Sequence, residues 1–162
     1  MPKSNRTIDI QILDDRWDHY IKDLAIENII CKACEVEKCD GFELSVCLTN
    51  DNEIQTLNKN YRGKDKPTNV LSFPNEALSL GIKDRQVLLG DIILSYNTVK
   101  SESSDQNKAF IDHATHLVVH GFLHLLGYDH LDKEEAEEME NQEIKILSLL
   151  KIDNPYAEKQ PC

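Results

Sequence analysis

The chain has 162 residues, 40% of them apolar and 29% charged. Those figures fit one soluble domain with a core of its own and exclude a disordered chain. A net charge of −11 excludes a protein that coats nucleic acid through a broad basic face. No run approaches the roughly 20 apolar residues of a membrane span, and the polar stretch Met1–Thr7 does not read as an export signal. The cytoplasm is therefore the expected compartment.

In chain order, Ile8, Ile10 and Ile12 alternate with polar residues and predict a half-buried strand. Trp17 to Cys34 places apolar residues at helical spacing and predicts one helix. The cysteines Cys31, Cys34, Cys39, Cys47 and Cys162 are odd in number and are expected as free thiols. Cys31 and Cys34 form a C-x-x-C pair, but no second pair or glycine-rich knuckle accompanies it, so it reads as small core or surface thiols. Glu43–Thr49 alternates again through Leu44, Val46 and Leu48, a second strand. Asn50 or Asp51 then caps a helix through Ile54, Leu57 and Tyr61, which Gly63 ends. Thr68–Phe73 and Leu88–Ser95 are rich in strand formers, with a long loop, Pro74 to Val87, between them. A helix is expected over Asn97–Lys108. Ile111–Leu126 is apolar almost all round, which places that helix in the middle of the protein. Asp132 and Glu135 form a capping box for a last helix reaching Leu150. The pattern is α+β: a small mixed sheet of about four strands packed with about five helices. One domain over residues 1–154 is expected, with residues 155–162 as a flexible tail.

Five of the six histidines fall between positions 113 and 130. His116, His120 and His124 recur every four residues and share one helical face. Three ligands for one ion cannot come from a straight helix at that spacing. Each step of four rises about 6 Å, so the outer two stand about 12 Å apart, whereas zinc–nitrogen bonds are about 2.0–2.1 Å. Gly127 lets the chain close the helix and turn back, which brings His130 beside His120 and His124. The result, His120-x3-His124-x5-His130, has the ligand spacing of metzincin proteases. Three neutral imidazoles leave zinc a fourth position for water, whose pKa falls toward about 7 there. The metal site is thus expected at the end of the central buried helix. His113 and His116 are expected to support the site, or to take no part in it, rather than bind the ion. Asp129, Asp112 or Asp91 could partner the outer nitrogen of a ligand.

A metzincin carries its general base, a glutamate, directly after the first histidine. Here that residue is Gly121, which can do no acid–base work. A cluster of four basic residues and one Asp, Lys59–Lys66, contrasts with seven acidic residues and one Lys over Leu131–Glu143.

Three segments occur in order: NKNYRGKDKPTNVLSFP over Asn58–Pro74, LGDIILS over Leu89–Ser95, and HGFLHLLGYDH over His120–His130. Together they resemble the YbeY family of bacterial endoribonucleases and ribosomal RNA maturation factors. The resemblance implies a compact α+β metalloprotein that acts on single-stranded RNA, matures the 3′ end of 16S ribosomal RNA and serves ribosome quality control. By motif position it implies His120, His124 and His130 as ligands of one Zn2+ and Arg62 as the functional arginine. Many relatives have Asp where this chain has Asn69. Arg62 suits phosphodiester chemistry because a planar guanidinium can hold two phosphoryl oxygens as negative charge builds. Lys64 and Lys66 are candidates for tracking the RNA backbone. The implied partners are ribosomal RNA, with ribosomal proteins or assembly factors beside it, and no membrane. Two alternatives stay open: a metzincin-like metalloprotease, and a non-catalytic ribosome-assembly factor with structural zinc.

Overall fold

The computed structural model describes residues 6–75 and 87–156. Four strands, β1 (Thr7–Ile12), β2 (Phe42–Thr49), β3 (Val70–Pro74) and β4 (Val87–Ser95), form one sheet in the order β1-β2-β4-β3. The first three neighbours run parallel, and β3 pairs antiparallel with β4 at the edge. The helices are α1 (Ile21–Leu24), α2 (Ile26–Glu37), α3 (Asp51–Arg62), α4 (Tyr96–Asp105), α5 (Phe110–Leu125) and α6 (Lys133–Leu149). The chain is therefore α+β with a four-stranded mixed sheet, as expected. Among the described residues five helices are of full length; α1 is a single turn.

The alternation in the strands sorts two layers. Leu44, Val46, Leu48, Ile92 and Leu94 face a large core shared with α2, α5 and α6. Leu71 and Ile93 face the other way, onto Ile54 of α3. A one-residue slip of register would exchange these faces, so burial fixes the pairing. Helix α5 lies against the sheet with Val118, Val119, Phe122 and Leu123 fully buried. This is the central helix that its all-round apolar sequence predicts. Among the described residues, no helix is long and apolar enough to cross a membrane.

The single helix expected over Trp17–Cys34 is instead broken into a 3-10 turn (Asp15–His19), α1 and α2. The apolar stripe Trp17, Tyr20, Ile21, Leu24 would continue near position 28. Glu27 and Asn28 stand there, and the stripe restarts out of phase at Ile26, Ile29, Ile30 and Ala33. Ala25 absorbs the slip in the left-handed conformation (φ 47°). Asn50, rather than Asp51, caps α3, its Oδ1 accepting from the Glu53 N–H at 3.1 Å. The expected Asp132 cap is present, with Oδ1 accepting from the Glu135 N–H at 2.8 Å. Helix α4 stops at Asp105, short of Lys108, where Asn107 turns left-handed (φ 53°).

Gly90 sits where β4 carries an extra residue against β2, with Glu43 opposite Leu88 and Leu44 opposite Gly90. Its φ is 150°, and a Cβ there would stand 2.4 Å from the Phe73 carbonyl oxygen. Of the expected long loop, residues 76–86 lie outside the described residues, and so do residues 157–162 of the expected tail.

Candidate metal centre

Helix α5 carries His120 and His124 one turn apart. Gly127 (φ 107°) ends the helix, and the Tyr128 N–H returns to the Leu123 carbonyl at 3.1 Å. The reversed chain delivers His130, whose ring stands 5.8 Å from that of His120 and 5.2 Å from that of His124. One nitrogen from each of the three lies within 4.8 Å of the others. Among the described residues no other trio of His, Cys, Asp or Glu converges in this way.

The hydrogen bonds set the tautomers. His120 donates Nδ1–H to Glu143 Oε2 at 3.1 Å, and His124 donates Nδ1–H to the Tyr128 carbonyl at 3.0 Å. Each Nε2 therefore presents a lone pair, and the two Nε2 atoms face one another at 3.0 Å. Two lone pairs at that range repel unless a cation joins them. A tetrahedral site with bonds of about 2.0–2.1 Å separates its nitrogens by roughly 3.3 Å, close to what the pair already adopts. The three histidines thus fit a metal ion. Burial, and then the neighbouring His120, push the His124 imidazole below its usual pKa. That favours the neutral form a metal requires.

Sequence reasoning missed Glu143. It is wholly buried on α6 and accepts from His116 Nε2 at 2.5 Å and the Tyr156 hydroxyl at 2.6 Å, besides His120. Burial pushes its carboxyl up, but the bonds from His116, His120 and Tyr156 outweigh that and hold it at about 2. It is an ionised group whose water has been replaced by three donors.

Glu143, rather than one of the aspartates expected for this role, partners His120. Asp91 projects from β4 on the α3 face, opposite Ser45, with the sheet between it and α5. Asp112 is exposed at the start of α5. Asp129 is near, but its Oδ1 accepts from the His130 backbone N–H at 2.8 Å and so shapes the turn. His116 bonds to Glu143, the carboxylate that also accepts from His120. His113 pairs instead with Glu102 (2.9 Å), which also accepts from Asn69 Nδ2 at 3.0 Å.

Arg62 is the last residue of α3, which Gly63 (φ 72°) closes. It lines a cleft of about 700 Å3 together with Asn69, Ser72, Asp129 and all three metal-site histidines. No carboxylate among the described residues forms a salt bridge with it. Lys64 and Lys66 sit exposed on the following turn and do not line the cleft. Gly121 packs flat on the sheet: a Cβ there would meet Ser72 Oγ at 3.0 Å and Ile92 Cγ2 at 3.1 Å. A side chain at the protease's base position would point into the sheet rather than at the cleft. The four cysteines among the described residues are free thiols and take no part.

The sequence profile of the family described as Endoribonuclease YbeY matches residues 5–151. The chain belongs to the YbeY family. A YbeY endoribonuclease from Paramagnetospirillum magneticum is 53% identical over 76% of this chain and 77% of its own length. One from Bradyrhizobium is 43% identical over 99% of this chain and 98% of its own. One from Rhodopseudomonas palustris is 54% identical over 72% of this chain, and the match spans 62% of that relative's length. A solution structure from Thermotoga maritima superposes with a TM-score of 0.58 at 27% identity, over 96% of this chain and 98% of that one. The YbeY profile ends at residue 151, so it includes Glu143 and stops before Tyr156.

Proposed function

We propose that this protein is a zinc-dependent endoribonuclease that cleaves single-stranded segments of ribosomal RNA, in 16S 3′-end maturation and ribosome quality control. The observation that carries the reading is one cleft lined by both the histidine trio and an arginine that has no salt-bridge partner among the described residues. Membership of a family named for endoribonuclease activity supports it.

His120, His124 and His130 would hold the ion, which supplies Lewis acidity toward water and a phosphoryl oxygen. The imidazole donor set suits zinc, as it does nickel, copper and iron. The protein's own part is positional and electrostatic. Arg62 binds the scissile phosphate through two N–H groups and stabilises the charge that grows on its oxygens. Glu143 and the Tyr128 carbonyl hold two ligand rings in the tautomer that presents Nε2. A trio of ligands facing an open cleft suits catalysis better than a closed structural site, which uses four. Gly121, packed on the sheet, speaks against the protease alternative. Ribosomal RNA is the proposed partner and the cytoplasm the proposed compartment.

The test is cleavage of a short single-stranded RNA by purified protein with its metal content measured. Arg62→Ala should lower kcat/KM by about 100-fold or more, the scale of losing one transition-state donor, with zinc content unchanged. His124→Ala should lose both metal and cleavage. Wild-type rates from Arg62→Ala would remove that residue from the mechanism. A full zinc complement without cleavage in the wild-type chain would favour the assembly-factor alternative.

A further inference from the structure

Tyr156 lies beyond the region that the family profile matches, yet its hydroxyl is part of the metal centre's support. The ring is 40% exposed, but Oη turns inward and donates to Glu143 Oε1 at 2.6 Å. His116 donates Nε2–H to the same oxygen at 2.5 Å, and its ring meets that of Tyr156 edge-on, 5.5 Å apart at 89°. The other oxygen, Oε2, is left for His120 at 3.1 Å. The carboxylate is therefore clamped on one side by two donors and offers its second oxygen to the metal ligand. With Oε1 pinned, the plane of the carboxylate is set, and with it the direction in which the His120 ring must point.

We propose that Tyr156 is a positioning residue of the metal centre, acting through Glu143 to fix the tautomer and orientation of His120. Outer partners of metal-bound histidines of this kind commonly govern affinity by about 10–100-fold. Tyr156 acts at one remove, so its effect falls at or below the lower end of that range. The proposal rests on the reading of the trio as a metal site, and it does not depend on the reaction catalysed.

The experiment uses the full-length chain stripped of metal and reloaded with Zn2+ or Co2+ alone. Affinity is measured by competition with a chromophoric chelator, and ligand geometry by the visible absorption of the Co2+ form. Tyr156→Phe removes one hydroxyl from a partly exposed ring, so folding should persist, as circular dichroism would check. The expected result is Zn2+ affinity weakened about 3- to 10-fold with an altered Co2+ spectrum. Glu143→Gln should weaken affinity about 10- to 100-fold. A folded Tyr156→Phe protein with wild-type affinity and an unchanged Co2+ spectrum would overturn the proposal, as would a wild-type chain that takes up neither metal. RNA cleavage is scored separately. Absence of cleavage beside a metal response to Tyr156→Phe would sink the endoribonuclease reading and leave Tyr156 in its role.

Discussion

On α6 the buried stripe runs Met139, Glu143, Ile146 and Leu147, with Leu150 packed beyond it. The spacing is that of a helix face, and Glu143 is the one charge on it. The same residue closes a run of seven acidic residues in the sequence, where it reads as one more solvated carboxylate. Its place in the stripe was the legible signal, and the surrounding charge concealed it. The histidine trio was legible for the opposite reason. Helix rise excludes a third ligand from α5, and a single glycine supplies the reversal, so local geometry was enough. Partner choice for His120 was not, because the candidates come from different elements brought together only by packing. Gly121 belongs at this scale as well. Gly121→Glu would restore the protease motif on paper, yet the side chain would have to enter the contact between α5 and Ile92. A carboxylate buried there without a partner costs about 3 kcal/mol or more. Urea titration should show that loss, and assay on peptides should show no gain of hydrolysis. A stable Gly121→Glu protein that cleaves peptides would refute the account given for this glycine.

Among the elements, alternation carries through to burial in β2: Leu44, Val46 and Leu48, which the pattern puts on one face, lie in the core. The apolar residues of Trp17–Cys34 keep helical spacing but not helical phase, so one helix does not span the segment. The slip between Leu24 and Ile26 is visible once the stripe is followed turn by turn. Ala25 (φ 47°) takes up that break, and at the other end of α2 Lys38 is left-handed as well (φ 55°). Lys38 is exposed, and its N–H bonds to the Cys34 carbonyl at 2.7 Å, a helix-ending geometry that suits glycine. A residue with a Cβ loses roughly 1–2 kcal/mol in that conformation. Glycine returns part of the gain through its freer unfolded state. Lys38→Gly should therefore stabilise the protein by about 0.5–1 kcal/mol, read as a higher urea midpoint with an unchanged slope. A lower midpoint would mean that the lysine side chain matters more than its backbone.

For the whole molecule, strand order was the least legible feature. The β2–β4 pairing skips β3, and nothing local to any strand announces it; long-range burial decides. That same order sets β3, and with it the cleft wall of Asn69 and Ser72, beside α5, while α3 brings Arg62 to the cleft from the far face of the sheet. The metal trio spans two segments, α5 and the turn after Gly127, so an ion bound there links them only in the folded state. Linkage then requires that metal stabilise the fold, by about 2.7 kcal/mol at a free concentration 100 times Kd. For a chain of this size that corresponds to a rise of roughly 5–10 °C in Tm. His130 is exposed on the turn after Gly127. His130→Ala should match the wild type in Tm when both are metal-free, yet lose most of the rise on adding Zn2+. Differential scanning calorimetry of both proteins, with chelator and with Zn2+, separates the two effects. An equal rise in both would mean that the ion binds elsewhere. A lower metal-free Tm for His130→Ala would mean that the turn itself, rather than the ion, holds the segment against α5.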